Sequence, residues 1–205
     1  MIIGLDFDNT IAAYDHVFAP AAVELGLLPA GRTGGKRAVR EAIRASAAGE
    51  EGWMRLQGQV YGRLMERARP FDGLFDFLRR ARERDAAVWI VSHKTEYGHF
   101  DPHRVNLRDA ALRWMDAVGL FDTGTTGLGP DRVAFEATRD AKVRRIADLG
   151  CDAFVDDLPE VFLAPGFPPD TRRCLFLPGG AAAEDGPFTP YRGWRAIADD
   201  LLGPR

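Results

Sequence analysis

Four aspartates stand where two short apolar runs of the sequence end. They are Asp6 and Asp8, after residues 1–5, and Asp156 and Asp157, after residues 153–155. If the two runs are neighbouring parallel strands, their carboxyl ends bring the four carboxylates into one crevice. Carboxylates so crowded repel one another unless a cation lies among them, and an incomplete cage of oxygen ligands suits Mg²⁺. Aspartate is also common in turns, but two clusters at equivalent strand ends favour a magnesium site.

A hydroxyl and an ammonium group are further candidates for this site. Ser92 follows the apolar run Ala87–Val91, and Lys142 opens the predicted helix that precedes residues 153–155. The Ser92 hydroxyl and the N–H groups of its turn are suited to donate to a phosphoryl oxygen, and a lysine neutralises charge on a nucleophile and on phosphate. Lys94, two residues beyond Ser92, competes for the lysine role, and the sequence favours Lys142.

Three histidines follow close behind this strand. His93, His99 and His103 have an H-x5-H-x3-H spacing, which is compatible with zinc, but no cysteine or fourth ligand stands near them in the sequence. We therefore interpret them as loop residues. The loop over residues 95–104 is still expected to contact substrate, because loops at strand ends often carry function.

The positions of these side chains depend on alternating strands and helices. Further apolar runs typical of buried parallel strands cover residues 87–91, 174–177 and, more weakly, 133–135. Helical periodicity covers residues 74–84, 105–118 and 143–149, and a last amphipathic helix surrounds Trp194, Ile197 and Leu201. Strands that alternate with helices predict an α/β fold with a Rossmann-like parallel sheet.

The interval between the first strand and Phe71 has a different pattern. It contains three helical segments, over residues 19–27, 36–47 and 53–69, which glycine-rich breaks separate. No run rich in β-branched residues occurs there. We therefore predict a small helical cap over residues 14–70, inserted into a core formed by residues 1–13 and 71–205.

Composition excludes several other classes of protein. The 205 residues, 46% of them apolar and 28% charged, suffice for a sizeable core. A net charge of −3 gives no overall attraction to nucleic acid, and no apolar run is long enough to span a bilayer. Asp6 and Asp8 interrupt the first apolar run, unlike in a signal peptide. Cys151 and Cys174 make no disulfide framework, so we expect a cytoplasmic protein.

Taken together, the order of these residues resembles a known family. Asp6-x-Asp8-x-Thr10, Ser92, Lys142 and the pair Asp156-Asp157 are similar to the four motifs of the haloacid dehalogenase superfamily. The resemblance covers about residues 1–177, and the first motif with its strand is the most specific part. The predicted insertion stands where one branch of the superfamily has a helical cap. The resemblance therefore implies a Rossmann-like core that carries such a cap.

The resemblance also implies a role for each motif residue. Asp6 would attack phosphorus and form an aspartyl-phosphate, and Asp8 would protonate the leaving oxygen and then deprotonate the hydrolytic water. Mg²⁺ would bind the Asp6 carboxylate, the Asp8 main-chain carbonyl and one of Asp156 and Asp157, with the other in support. The residues expected to hold the phosphoryl oxygens are Asn9, Thr10, Ser92, His93, Lys94 and Lys142.

Asp8 indicates which activity of the superfamily to expect. Dehalogenases and P-type ATPases lack an acid at this position, whereas phosphatases and phosphomutases have one. A phosphate ester needs its leaving alkoxide protonated, so we predict a Mg²⁺-dependent phosphohydrolase of a small phosphorylated metabolite, with a phosphomutase as the second interpretation. A receiver-like phospho-acceptor domain also places acidic, hydroxyl and lysine residues at strand ends, but it is smaller and has no Asp-x-Asp pair. The sequence leaves the oligomeric state open.

Overall fold

The computed structural model describes residues 1–180 and 185–204, which form two compact units. The first unit contains Met1–Ala12, Pro70–Lys94 and Asp116–Arg205, and the second contains Ala13–Arg69 and Thr95–Met115. The predicted cap over residues 14–70 falls in the second unit except for Pro70, and the second unit also takes in Thr95–Met115. Residues 181–184 and 205 of the predicted core lie outside the described residues.

Strands and helices alternate along most of the chain. The strands are β1 (Ile2–Leu5), β2 (Ala12–Ala13), β3 (Arg69–Pro70), β4 (Ala87–His93), β5 (Val133–Glu136), β6 (Ala153–Asp156), β7 (Arg172–Phe176) and β8 (Thr189–Tyr191). The helices are α1 (Asp15–Glu24), α2 (Lys36–Arg44), α3 (Gly49–Tyr61), α4 (Leu74–Glu83), α5 (Leu107–Ala117), α6 (Thr123–Thr126), α7 (Arg139–Asp148), α8 (Pro159–Phe162) and α9 (Trp194–Leu202). Within the described part of the chain, no helix has the length and apolar character needed to cross a membrane.

Six of the strands form a parallel sheet in the order β5-β4-β1-β6-β7-β8. The central strand β1 has Ile3 and Leu5 fully buried, as expected for a parallel strand covered on both faces. Gly4 of β1 is opposite Phe154 of β6, whose ring would clash with a Cβ at position 4. The edge strand β8, which the sequence did not predict, contains Pro190, a residue that edge strands tolerate. The predicted Rossmann-like α/β fold is confirmed.

Local contacts explain where helix α7 begins and ends and how helix α4 is joined to α9. Helix α7 begins at Arg139, ahead of its apolar periodicity, because the Thr138 hydroxyl accepts a hydrogen bond from the Ala141 N–H at 3.1 Å. Gly150, with φ of +62°, follows the end of α7 in the left-handed conformation that glycine favours. On α4, the buried Arg80 donates to the Asp199 carboxylate of α9 at 2.8 Å, which joins these two helices.

The second unit is mainly helical, as the sequence predicts for residues 14–70. Helix α3 ends at Tyr61 rather than near residue 69, because Gly62 leaves the helical conformation with φ of −108° and ψ of −100°. Phe18 of α1 stacks on Trp53 of α3 with ring centroids 5.4 Å apart. The strands β2 and β3 pair with each other, and they are too short to give a periodic pattern in the sequence.

Candidate active site

The carboxyl ends of β4, β1 and β6 lie side by side at one edge of the sheet. Ser92 lies near the end of β4, Asp6 follows β1, and Asp156 ends β6. The Asp6 N–H donates to the Val155 carbonyl at 2.8 Å, so the pairing of β1 with β6 extends through Asp6 and fixes its backbone. Carboxylate oxygens of Asp6, Asp156 and Asp157 lie within 4.8 Å of one another. The structure thus brings together aspartates that are about 150 residues apart in the sequence.

Lys142 lies between two of these carboxylates. Its Nζ donates to Asp6 Oδ1 at 2.5 Å and to Asp156 Oδ2 at 2.6 Å, and all three side chains are buried. The Thr138 cap fixes the first turn of α7, from which Lys142 extends. The second oxygen of Asp156 accepts from the Leu158 N–H at 2.9 Å. Backbone contacts therefore hold both Lys142, through the first turn of α7, and Asp156, through the Leu158 N–H.

Burial and neighbouring charge change the proton affinity of the cluster. Burial is the largest effect on Asp6 and raises the pKa of its carboxyl to about 7, against the attraction of Lys142, while repulsion from Asp156 and Asp8 adds to the rise. Burial acts to lower the pKa of Lys142, but the attraction of Asp156 and Asp6 outweighs it and holds this pKa above its ordinary value. The cluster thus carries more negative charge than one ammonium group neutralises, which favours a bound cation.

No family model matches the sequence, and no curated protein matches it. Solved structures do match the fold. A haloacid dehalogenase (HAD)-superfamily hydrolase of subfamily IA from Geobacter sulfurreducens has a TM-score of 0.58 and 15% identity, over 98% of this chain and 96% of that one. A haloacid dehalogenase-like family hydrolase from Xanthomonas campestris has a TM-score of 0.53 and 14% identity, over 98% and 95%. A HAD family hydrolase from Deinococcus radiodurans, with bound phosphate and sodium, has a TM-score of 0.51 and 13% identity, over 90% and 84%.

The chain has a HAD-like fold. The second lysine candidate, Lys94, contacts a different carboxylate at the edge of this HAD-like sheet. Its Nζ donates to both carboxylate oxygens of Asp8, at 3.1 and 2.9 Å. Lys142 therefore contacts Asp6 and Asp156, whereas Lys94 contacts Asp8. The sequence did not predict the Lys94–Asp8 pair.

Two buried hydroxyl groups of the candidate site, Ser92 Oγ and Thr10 Oγ1, have no hydrogen-bond partner within the described residues. Ser92 is 1% exposed and Thr10 is fully buried. A buried polar group without a partner costs about 1–3 kcal/mol, so such groups are rare and call for an explanation. Both hydroxyls belong to residues that the sequence assigns to phosphate binding, and each has a hydrogen bond available for a ligand oxygen.

Asn9 and His93, which the sequence also assigns to phosphate binding, make local backbone contacts. Asn9 has φ of +60° and its N–H donates to the Ala12 carbonyl at 2.9 Å, a left-handed turn that asparagine tolerates. The His93 ring lies 3.1 Å from the Ala137 carbonyl, and partial loss of solvent around the ring lowers the pKa of its imidazole. His93 belongs to the first unit, while His99 and His103 belong to the second.

Proposed function

We propose that the protein is a Mg²⁺-dependent phosphohydrolase that cleaves a small phosphomonoester through an aspartyl-phosphate. The position of Asp6 carries the proposal. Its carboxylate contacts Lys142 and lies beside those of Asp156 and Asp157, and a second acid, Asp8, follows two residues later. The phosphate bound to the Deinococcus radiodurans hydrolase supports a phosphoryl ligand for this fold.

The proposed reaction has two steps. A carboxylate oxygen of Asp6 attacks phosphorus while the bond between phosphorus and the ester oxygen breaks. Asp8 gives its proton to that oxygen, so the alcohol leaves neutral. The ionised Asp8 then takes a proton from water, the water oxygen attacks phosphorus, and the bond to Asp6 breaks to release inorganic phosphate. Throughout, Lys142 fixes Asp6, and the Ser92 and Thr10 hydroxyls donate to phosphoryl oxygens.

The acidic cluster fits Mg²⁺ by its chemistry. The proposed ligands are the Asp6 carboxylate, the Asp8 main-chain carbonyl and a carboxylate of the Asp156-Asp157 pair, all of them the hard oxygen donors that this ion prefers. Burial first, and then repulsion from Asp156 and Asp8, raise the pKa of the Asp6 carboxyl, and a cation held beside it would oppose both effects. When bound, Mg²⁺ would offset the repulsion between Asp6 and the anionic phosphoryl group.

The raised pKa of Asp6 predicts that Mg²⁺ binding depends on pH. A carboxyl with a pKa of about 7 is largely protonated at pH 6 and ionised at pH 8. Because the proton competes with the metal, we expect affinity to fall roughly tenfold for each pH unit below 7, with proton release on binding. Titration calorimetry in buffers of different ionisation enthalpy measures both quantities.

Two variants control the metal experiment. Asp148→Asn, on the exposed face of α7, should bind as the wild type does, whereas Asp157→Asn should bind more weakly. An affinity that stays constant between pH 6 and 8 would show that Asp6 does not exchange a proton for the ion.

Replacing Ser92 by Ala should lower turnover without lowering stability. The Ser92 hydroxyl has no partner to lose within the described residues, so the midpoint of thermal unfolding should stay constant or rise. Loss of a donor to the phosphoryl group should lower kcat/KM about 10²-fold. As a matched control, Thr126→Val removes a buried hydroxyl that donates to the Leu120 carbonyl at 2.8 Å, and it should cost about 1 kcal/mol of stability with turnover retained. The opposite pattern in the two variants would exclude Ser92 from the site.

The proposed function is tested by assaying phosphate release from a panel of alkyl, sugar and nucleoside monophosphates with Mg²⁺. We expect turnover of at least one ester, and its loss when EDTA removes the metal. Transfer of the phosphoryl group within the substrate, without release of phosphate, would instead indicate a mutase. Absence of both reactions across the panel contradicts the proposal.

A further inference from the structure

Lys94 is a buried cation at the end of a strand. Lys94 follows β4 directly and continues its pairing with β5, and side chains alternate along extended chain, so Ser92 and Lys94 point to one side of the sheet and His93 to the other. The burial follows this alternation, because Ser92 and Lys94 are buried and His93 is exposed. The Lys94 N–H donates to the Glu136 carbonyl at 3.0 Å, so pairing with β5 fixes the backbone from which the side chain extends.

The ammonium group of Lys94 is aimed at Asp8. It donates to both carboxylate oxygens, and it lies 5.4 Å from the centroid of the Phe7 ring, which is fully buried. The Lys94 side chain is 2% exposed, whereas that of Asp8 is 21% exposed. A buried cation thus contacts a carboxylate that is itself partly open to solvent.

We propose that Lys94 is a positioning residue that orients the Asp8 carboxylate for proton transfer at the ester oxygen, and this inference rests on the proposed function. Proton transfer requires the acid within hydrogen-bond distance of the leaving oxygen. A displacement of about 1 Å at a reacting group lowers rates by about 10²-fold. Two contacts from one buried group to both oxygens hold the carboxylate in place.

The leaving group of the ester distinguishes two roles for Lys94, which are positioning of Asp8 and direct contact with the phosphoryl group. When an alkyl ester is cleaved, the bond from phosphorus to oxygen breaks and the proton of Asp8 moves to that oxygen. When p-nitrophenyl phosphate is cleaved, the phenolate leaves without this proton. Hydrolysis of the aspartyl-phosphate also uses Asp8 and is common to both esters, so the comparison is made on kcat/KM, which covers only the steps up to loss of the leaving group. Misplacing Asp8 therefore lowers kcat/KM selectively for the alkyl ester, whereas loss of a contact to the phosphoryl group lowers it equally for both.

The test compares Lys94→Met with the wild type on p-nitrophenyl phosphate and on the alkyl ester of the panel that the wild type cleaves fastest. We expect kcat/KM for the alkyl ester to fall roughly 10- to 100-fold, and kcat/KM for the aryl ester to fall by less than about threefold. Lys94→Gln, whose uncharged amide keeps N–H donors on a side chain one atom shorter, should give an intermediate loss on the alkyl ester and keeps the test valid if Lys94→Met fails to fold.

A double-mutant cycle shows whether Lys94 acts through Asp8. In the Asp8→Asn background, Lys94→Met should change alkyl-ester turnover by less than about threefold, because no carboxyl remains to be positioned. Equal losses of kcat/KM on the two esters, or a full further loss in the Asp8→Asn background, would overturn the inference and leave the proposed function intact. A wild type that cleaves neither ester overturns both.

Discussion

Replacing Asp6 by Asn is expected to abolish phosphate release, with kcat at least about 10³-fold below that of the wild type. The amide has nearly the size of the carboxylate but no anionic oxygen to attack phosphorus, so no acyl phosphate forms. The loss should be the same for alkyl and aryl esters, because both need the nucleophile. Steady-state phosphate release with each ester, at saturating Mg²⁺, measures this.

The Asp6→Asn protein should remain folded. Its amide oxygen accepts a hydrogen bond from Lys142, and Lys142 keeps its ion pair with Asp156, at 2.6 Å in the wild type. Asp148→Asn makes the same chemical change on the exposed face of α7, and it should keep wild-type turnover. Near-wild-type kcat in the Asp6→Asn protein would remove Asp6 from the role of nucleophile.

Replacing Lys142 by Met is expected to give the largest loss of stability. The change leaves the carboxylates of Asp6 and Asp156 buried without their shared cation. Removing one partner of a buried ion pair costs about 3–5 kcal/mol, because the remaining charge is neither solvated nor paired. Urea unfolding at pH 8 measures the free energy of unfolding. Turnover should fall as well, because Asp6 loses its contact with Lys142.

Two further variants show whether this loss comes from the buried charges. Arg145→Met, also on α7, breaks a more exposed pair with Glu136, at 2.8 Å, and should cost at most about 1 kcal/mol. Adding Asp156→Asn to Lys142→Met removes one of the unpaired charges and should restore at least about 1 kcal/mol. If Lys142→Met costs no more than Arg145→Met, the cluster does not depend on this ion pair.

Most of the sheet and the edge where the candidate site lies could be predicted from the sequence. The strands β1, β4 and β6 are short apolar runs, and each is followed or ended by a polar residue suited to chemistry. Parallel pairing places their carboxyl ends at one edge, and the strand order β4-β1-β6, which the sequence alone does not fix, makes them neighbours. The convergence of Asp6 with Asp157 was therefore a matter of topology rather than of local sequence.

Features set by tertiary contacts were not predicted. Thr95–Met115 follows β4 in the chain but belongs to the second unit, where the buried Gln59 donates to the carboxylate of Asp101. Neither residue type indicates such a pairing before the two segments meet. The Lys94–Asp8 pair was missed for a related reason. The sequence shows that Ser92 and Lys94 are two residues apart at the end of a predicted strand, but it does not give the distance from Lys94 to Asp8.

In the proposed reaction, Asp6 carries the phosphoryl group between the two steps. To detect this intermediate, the enzyme is quenched during turnover, any acyl phosphate is reduced with borohydride, and the product is mapped by mass spectrometry. Reduction of an aspartyl-phosphate gives homoserine, so we expect homoserine at position 6 in the wild type and none in Asp148-containing peptides. Homoserine at another aspartate, or none at any position while phosphate is being released, would show that Asp6 is not the nucleophile.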